Sequence, residues 1–286
     1  MKKLLILYIL LIGYINGSYP HPVFGENGMV VSTSRQASIA GIEILKKGGN
    51  AIDAACATGF VLAVTSSSNG NIGGGGFMVV HKENSKIFTL DYREIAPAAA
   101  HRDMFLDSNG EVIDNMSLRT RAASGVPGSV DGLLKAWKDH GSGNISRREL
   151  LASAIALAER GFELTHYEAK RFNNNKDLFF NNDAAAKIFI RGDRKPWKAG
   201  DRFIQKDLAR TLKRIAREGR DGFYSGKTAD LIIAEMNRGI GLITHEDLLN
   251  YESKYREPMI GSFKGYEIIS MGLPSSGGTI LIEMLN

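Results

Sequence analysis

The chain of 286 residues contains 36 lysines and arginines against 31 acidic residues, and 43% of its residues are hydrophobic. A chain of this length and composition can bury a large core, in one big domain or in two smaller ones. The basic residues are scattered among acidic ones and form no aromatic-interleaved stripe, so nucleic acid is not an expected partner.

The N-terminal residues have the order of a signal peptide. Lys2 and Lys3 precede the apolar residues 4–12, and small or polar residues follow. We therefore predict a signal peptide over residues 1–17, cleaved near Gly17, and a periplasmic or secreted protein on the assumption of a bacterial origin. A retained anchor is the alternative, although the apolar stretch is shorter than the roughly 20 residues that a membrane span needs.

Two helices are predicted next. Ser34 can cap a helix with apolar residues at helical spacing, which Gly48 and Gly49 would end. Residues 51–64 are apolar nearly all round and predict a buried helix. This helix contains the single cysteine, Cys56, which we interpret as a core residue rather than a catalytic thiol because its neighbours are small and apolar.

A glycine-rich turn follows, with four consecutive glycines at residues 73–76. Since only glycine lacks a Cβ atom, this run predicts a close approach between two backbone segments. The β-prone runs at residues 77–81 and 87–92 predict a hairpin directly after it. The glycines precede a strand rather than a helix, and neither Lys-Ser nor Lys-Thr follows, so a nucleotide cradle is not favoured.

The middle of the chain is predicted to be rich in helices. Ser146 and Glu149 have the spacing of a capping box, and Thr244 with Asp247 gives a weaker helix-start signal. Helical periodicity is found in residues 150–160, 205–218 and 225–237. The last two of these helices are expected to be separated by the turn residues 219–222.

The C-terminal residues predict a strand over residues 264–271 and an apolar helix that begins near Gly277 and is cut off by the chain end. A helix of about two turns gains little stability alone, because nucleation must be offset by propagation and packing. We therefore expect the chain to be a truncated part of a longer protein. No repeat or linker marks an internal boundary, so residues 18–286 are interpreted as one incomplete domain.

Several familiar sites are not supported by the sequence. Ser225-Gly226-Lys227-Thr228 matches the end of a phosphate-binding loop, but Asp221 stands where that pattern needs glycine, and a helix start is the favoured interpretation. The six histidines show neither metalloprotease spacing nor cysteine companions, and no Gly-x-Ser-x-Gly elbow occurs. We assign no catalytic residue, metal ligand or cofactor-binding residue within the chain.

Arg93 is the candidate binding residue. It lies at the end of the second β-prone run, a few residues from the glycine-rich turn, where a guanidinium could bind a carboxylate through two hydrogen bonds. Spacing alone favours the alternative, an arginine paired with Asp91 or Glu94 at the surface. From the residues themselves both interpretations stay open.

Five motifs, in order and spacing, resemble the large-subunit half of the γ-glutamyltransferase family. They are Ala51-Ile52-Asp53-Ala54-Ala55, Asn69-Gly70-Asn71-Ile72-Gly73-Gly74-Gly75-Gly76-Phe77-Met78, Asp91-Tyr92-Arg93-Glu94, Gly125-Val126-Pro127-Gly128 and Pro274-Ser275-Ser276-Gly277-Gly278. The resemblance covers nearly the whole chain after the leader. Leu273 departs from the family's more usual proline, and Ser66-Ser67-Ser68 departs from a stretch that commonly contains proline.

The resemblance implies an α+β fold of the N-terminal-nucleophile hydrolase type, an αββα sandwich of which this chain is the incomplete large-subunit half. It implies a precursor that cuts itself, and a threonine at the new small-subunit N-terminus that attacks the γ-amide of glutathione or a related γ-glutamyl compound. The acyl group then passes to water or to an amino-acid or peptide acceptor. Arg93 would hold the α-carboxylate of the γ-glutamyl group, and the nucleophile would lie outside this chain.

Three hypotheses about function follow. The first is the large-subunit part of a γ-glutamyltransferase, with its small subunit as the partner. The second is a related acylase of the cephalosporin or glutaryl type, which a preference for glutaryl amides over γ-glutamyl compounds would reveal; the carboxylate contact at Arg93 favours the first. The third is an exported, non-catalytic binding or remnant protein, which the absence of a small-subunit reading frame directly downstream would favour.

Overall fold

The computed structural model describes residues 22–83 and 86–286. The predicted signal peptide, residues 1–17, lies outside the described residues. Within the described ranges, no helix combines the length and the apolar character needed to cross a membrane.

Helices and short antiparallel strands alternate along the chain. The α-helices of the described residues, α1 to α13 in chain order, are Arg35–Lys46, Ala51–Thr65, Met116–Arg119, Ser129–His140, Arg147–Arg160, His166–Asn174, Lys176–Phe180, Asp183–Phe189, Lys206–Glu218, Asp221–Tyr224, Gly226–Met236, His245–Asn250 and Gly277–Leu285. The strands, β1 to β7, are Phe77–His81, Ile87–Asp91, Phe162–Glu163, Arg202–Phe203, Lys254–Arg256, Met259–Phe263 and Tyr266–Ser270.

The first two helices confirm the sequence prediction. The Ser34 side chain accepts a hydrogen bond from the backbone of Ala37, as an N-cap residue does, and α1 ends at Lys46, ahead of Gly48. Gly48 has φ +84°, a conformation that favours glycine over any residue with a Cβ. Helix α2 is buried on nearly all sides, as its uniformly apolar sequence indicates.

The predicted hairpin is also confirmed, with β2 ending one residue earlier than expected, at Asp91. Strands β1 and β2 are antiparallel, with Phe77 opposite Asp91 and His81 opposite Ile87. A third strand that the sequence did not predict, β5, pairs with the other edge of β2. The turn after β2 is therefore flanked by a segment from far along the chain.

The two capping boxes start the helices that they predict. Ser146 and Glu149 exchange side-chain and backbone hydrogen bonds at the start of α5, and Thr244 and Asp247 do so at the start of α12. The stretch containing Ser225 starts α11, so its interpretation as a helix start holds. Residues 219–222 are not wholly a turn as predicted, because the short helix α10 begins within them.

The residues between α5 and α9 fold into three short helices that the sequence did not predict, and strands β3 and β4 pair at the two ends of this section. Its core is a cluster of aromatic rings with centroid separations between 4.7 and 6.5 Å. The cluster consists of Phe172, Phe179, Phe189, Trp197 and Phe203. These rings supply apolar packing for a section whose helices are mostly polar.

The last elements form a small unit in which α13 packs against the hairpin of β6 and β7. The predicted strand is present as β7, although it starts later, at Tyr266. Elsewhere one hydrophobic cluster runs from Ala37 to Tyr251, with α2 at its centre. Helix α2 contributes Phe60, Val61 and Val64, whose side chains have no exposed surface.

Candidate functional site

Arg93 lies two residues after the end of β2, and its backbone is held on both sides. The Arg93 N–H donates to Asp91 Oδ1 over 3.0 Å, and the Arg93 carbonyl accepts a hydrogen bond from the Tyr251 hydroxyl over 2.9 Å. The side chain is exposed, and its guanidinium carbon lies 5.8 Å from the centroid of the Phe77 ring. The cation is therefore presented to solvent from a fixed backbone.

The surface pair between Arg93 and Asp91, which spacing alone favoured, is not formed. Asp91 is buried and accepts hydrogen bonds from Nε and Nη2 of Arg256, at 3.1 and 3.0 Å. Among the ion pairs of the described residues, none joins Arg93 to Asp91 or to Glu94. The Asp91 carboxylate is thus paired with Arg256, and the Arg93 side chain stays exposed.

The glycine-rich turn makes the close backbone approach that its sequence predicts. A Cβ atom on Gly75 would lie 2.5 Å from the Tyr92 carbonyl oxygen and 2.8 Å from Arg93 Cα, distances that real Cβ atoms essentially never show. Gly76 and Tyr92 exchange backbone hydrogen bonds of 3.2 and 3.0 Å, which extend the hairpin past β2. The turn is thus packed against the residue that carries the guanidinium.

The motif at residues 125–128 packs against the glycine-rich turn. The Gly74 carbonyl accepts hydrogen bonds from Gly128 N–H at 2.8 Å and from Ser129 N–H at 2.9 Å, at the start of α4. A Cβ atom on Gly128 would overlap the Tyr251 hydroxyl and the Tyr92 carbonyl oxygen. Three of the sequence motifs therefore meet at Arg93.

Tyr92 packs into the interior at the place where these three motifs meet. Its ring lies against Gly132 of α4, where a Cβ atom would be 2.7 Å from Tyr92 Cδ1. Burial, with a smaller contribution from Cys56, raises the pKa of Tyr92 to about 12. The phenol is therefore neutral at physiological pH and acts as packing for the Arg93 turn.

A buried carboxylate, Asp131, lies in α4 three residues after Gly128 and was missed by the sequence reasoning. Its Oδ1 accepts from Arg220 Nε at 2.8 Å, and its Oδ2 accepts from the Ser253 backbone and hydroxyl at 2.8 and 2.6 Å. The Tyr224 hydroxyl donates to the Pro127 carbonyl at 2.8 Å. These partners are far apart in sequence, so no local pattern could have identified them.

The motif at residues 274–278 is not brought to this turn by any contact of the described residues. Gly278 packs instead against the Met271 carbonyl and the Met259 side chain, at the start of α13. Arg93 also lies outside the walls of two larger cavities. One of about 610 Å³ is lined by Asp131, Arg220 and Tyr251, and one of about 1030 Å³ lies between α1 and the aromatic cluster.

Cys56 is confirmed as a core residue. It is fully buried, and burial together with the charge of Asp53 raises the pKa of its thiol well above the ordinary value. The thiolate needed for nucleophilic attack is therefore not available. Within the part of the chain that the structure describes, no group of three or more histidine, cysteine or acidic side chains is arranged to hold a metal ion.

Comparison with known proteins agrees with this geometry. The fold is shared with a crystal structure of Helicobacter pylori gamma-glutamyltranspeptidase, at a TM-score of 0.90 and 43% identity, over 92% of this chain and 75% of that one. The predicted α+β fold of the N-terminal-nucleophile hydrolase type is thereby confirmed.

The family model for gamma-glutamyltranspeptidase matches residues 37–286. The chain therefore belongs to the gamma-glutamyltranspeptidase family, and it corresponds to the large-subunit portion.

Two curated relatives illustrate the range of the family. The glutathione hydrolase proenzyme of Pseudomonas aeruginosa is 45% identical over 262 residues, which are 91% of this chain and 45% of the relative. The Acylase ACY 1 proenzyme of Pseudomonas sp. (strain SE83) is 37% identical over 93% of this chain and 48% of the relative. The chain thus spans about half the length of the curated relatives that it matches.

Proposed function

We propose that the chain is the large-subunit part of a γ-glutamyltransferase that also acts as a glutathione hydrolase. In this function a threonine of the small subunit, outside this chain, attacks the γ-carbonyl of glutathione or a related amide. The carbon–nitrogen bond breaks, the amine leaves with a proton, and a γ-glutamyl ester remains on the threonine. Water or the amine of an amino acid or peptide then takes the acyl group. Family membership and the similarity to glutathione hydrolase proenzymes support this proposal.

The observation that carries the proposal is the exposed guanidinium of Arg93 on a fixed backbone. Its neighbour Asp91 is neutralised by Arg256, so Arg93 is not occupied by an internal carboxylate. Arg93 is thus suited to hold the α-carboxylate of the γ-glutamyl group through a bidentate, charge-assisted pair. Holding that end of the substrate would place the γ-carbonyl carbon, four bonds from the carboxylate carbon, at a restricted distance from the nucleophile.

The proposal includes the compartment. A periplasmic or secreted location is supported by the charges and apolar residues at the N-terminus, which have the order of a signal peptide. Mass spectrometry of the exported protein would test it, with a mature N-terminus near Ser18 expected. Recovery of the chain in the cytoplasm with residues 1–17 intact would contradict it.

An acylase for glutaryl amides is the second candidate, favoured by the similarity to the Acylase ACY 1 proenzyme. Arg93 does not separate the two, contrary to the expectation from sequence. A glutaryl amide retains the distal carboxylate and lacks only the α-amine, so a clamp at Arg93 would serve both substrates. The two candidate functions must therefore be distinguished by the rates of hydrolysis of a γ-glutamyl substrate and a glutaryl substrate.

The test uses the chain fused to the small-subunit half of the Pseudomonas aeruginosa relative, so that the precursor can cut itself. We expect the processed protein to hydrolyse γ-glutamyl-p-nitroanilide faster than glutaryl-p-nitroanilide, and the chain without a small subunit to hydrolyse neither. The reverse preference would favour the acylase. A processed protein that is inactive on both would favour the non-catalytic remnant.

Substitution of Arg93 tests the binding role in the same fusion. Arg93→Ala removes the cation, and Arg93→Lys keeps the charge but loses one arm of the pair, so the losses should be graded. Charge-assisted hydrogen bonds are worth roughly 1.5–3 kcal/mol, which corresponds to a rise in KM of about tenfold to a hundredfold or more for Arg93→Ala. The control substrate is 4-aminobutanoyl-p-nitroanilide, which lacks the α-carboxylate. Equal impairment of both substrates would make Arg93 a structural residue.

A further inference from the structure

The turn that carries Arg93 is held along one side by a single distant segment, residues 245–256. The Ala98 N–H donates to Asp247 Oδ1 at 2.7 Å, the Tyr251 hydroxyl donates to the Arg93 carbonyl at 2.9 Å, and Arg256 binds Asp91. The middle contact of the three is the one that reaches Arg93 itself.

Tyr251 is built into the interior so that its hydroxyl has little freedom to move. The residue is 2% exposed, and its ring is stacked on that of Tyr224 with centroids 5.7 Å apart and planes 7° apart. Arg220 donates to the backbone carbonyl of Tyr251 and, through Nε, to the buried Asp131. Because this hydroxyl has a fixed position, its hydrogen bond restricts the position of the Arg93 carbonyl.

The space around the hydroxyl is equally restricted. Gly128 approaches the Tyr251 phenol so closely that a Cβ atom there would lie 2.6 Å from Tyr251 Cζ. Without that glycine the ring could not reach the Arg93 carbonyl. The motif at residues 125–128 therefore has two roles. It contacts the glycine-rich turn, and it leaves room for the Tyr251 hydroxyl that donates to the Arg93 carbonyl.

We propose that Tyr251 is a positioning residue for Arg93, setting the orientation of the 93–94 peptide and with it the direction in which the guanidinium leaves the backbone. This inference rests on the proposed role of Arg93 as the carboxylate clamp. The guanidinium lies at the end of a long side chain, so a small rotation at Cα displaces it by a much larger distance. Displacements of about 1 Å at a positioning group can cost up to a hundredfold in rate.

The test is Tyr251→Phe in the processed fusion, which removes one hydroxyl and keeps the stacked ring. We expect KM for γ-glutamyl-p-nitroanilide to rise roughly threefold to tenfold, the range for one lost neutral hydrogen bond, with a smaller change in kcat. The same substitution should leave 4-aminobutanoyl-p-nitroanilide almost unaffected. In an Arg93→Ala background, Tyr251→Phe should have no further effect on the γ-glutamyl substrate.

Tyr255→Phe is the matched control. It removes a hydroxyl of the same kind from β5, where Tyr255 donates to Asp139 Oδ2 at 2.9 Å, away from Arg93. We expect its kinetics to match those of the unsubstituted fusion. If Tyr251→Phe does not fold, Ser253→Ala replaces it, because loss of the Ser253 hydroxyl loosens Asp131 and Arg220 and should raise KM in the same direction by a smaller factor.

The outcomes separate this inference from the proposed function. If Arg93→Ala impairs only the substrate with the α-carboxylate while Tyr251→Phe matches the control, the clamp stands and the positioning role is wrong. Equal impairment of both substrates by Tyr251→Phe would also overturn it, because the residue would then be merely structural. If Arg93→Ala itself shows no selectivity for the carboxylate, the proposed function of Arg93 fails first.

Discussion

Replacement of Gly128 by alanine should disrupt the packing around the turn that carries Arg93, through steric overlap and not through backbone strain. Gly128 has φ −115°, which any residue adopts, so the effect is steric alone. The new methyl group would lie 2.6 Å from Tyr251 Cζ, against an ordinary contact of 3.4–4 Å, and would also overlap the Tyr92 carbonyl. Neither neighbour can retreat easily, because the Tyr251 ring is stacked and the Tyr92 carbonyl is bonded to Gly76.

The expected cost has two parts. Overpacking of this kind costs about 1–3 kcal/mol, and displacement of the Tyr251 hydroxyl loses a hydrogen bond worth about 1 kcal/mol. The sum of about 2–4 kcal/mol corresponds to a fall in Tm of about 3–7 °C for a cooperative unit of the size of this chain.

The assay is a thermal melt of the processed fusion, with Gly192→Ala as the control. At Gly192 no atom lies within 4 Å of the position that a Cβ would take, and φ is not positive, so its replacement should change Tm by less than about 2 °C. A Gly128→Ala protein that melts with the control and keeps the KM of the unsubstituted fusion would refute the packing described for this turn.

Two further predictions concern groups away from Arg93. Cys56 should not react with a disulfide reagent in the native protein and should react after denaturation, because burial raises the pKa of its thiol; fast labelling of the native protein would contradict its place in the core. Burial, and then the charge of Lys82, lowers the pKa of His140 below 6.5, so the unfolded chain binds that proton more readily. The free energy of unfolding should therefore fall as pH drops below about 6.5, and Lys82→Met should reduce that slope; an unchanged slope would show that the charge of Lys82 does not act on His140.

The parts of the fold that could be predicted from the sequence are those whose signals are local. Ser34, Ser146 and Thr244 each cap a helix through atoms no more than three residues away, and such spacing is visible in the chain. The four glycines indicated a close backbone approach for the same reason, since a missing Cβ is a property of the residue itself. What they approach, Tyr92 and Arg93, was only suggested by proximity in sequence.

The parts that could not be predicted depend on long-range contacts. Tyr251 lies 158 residues from Arg93, and Arg220 lies 89 residues from Asp131. A buried tyrosine or aspartate has no sequence signature that names its partner, so the network under the turn was invisible. Strand β5 has only three residues and exposed side chains, and it is a strand because β2 offers an edge. The binding role of Arg93 came from the resemblance to a family, while spacing favoured the opposite interpretation.

The most direct measurement of the central claim is a crystal structure of the processed fusion with a γ-glutamyl substrate analogue bound. The account predicts that the α-carboxylate of the analogue accepts two hydrogen bonds from the Arg93 guanidinium at about 2.7–2.9 Å, while the Arg93 carbonyl still accepts from Tyr251. An α-carboxylate held by other residues, with Arg93 directed into solvent or paired with Glu94, would contradict it.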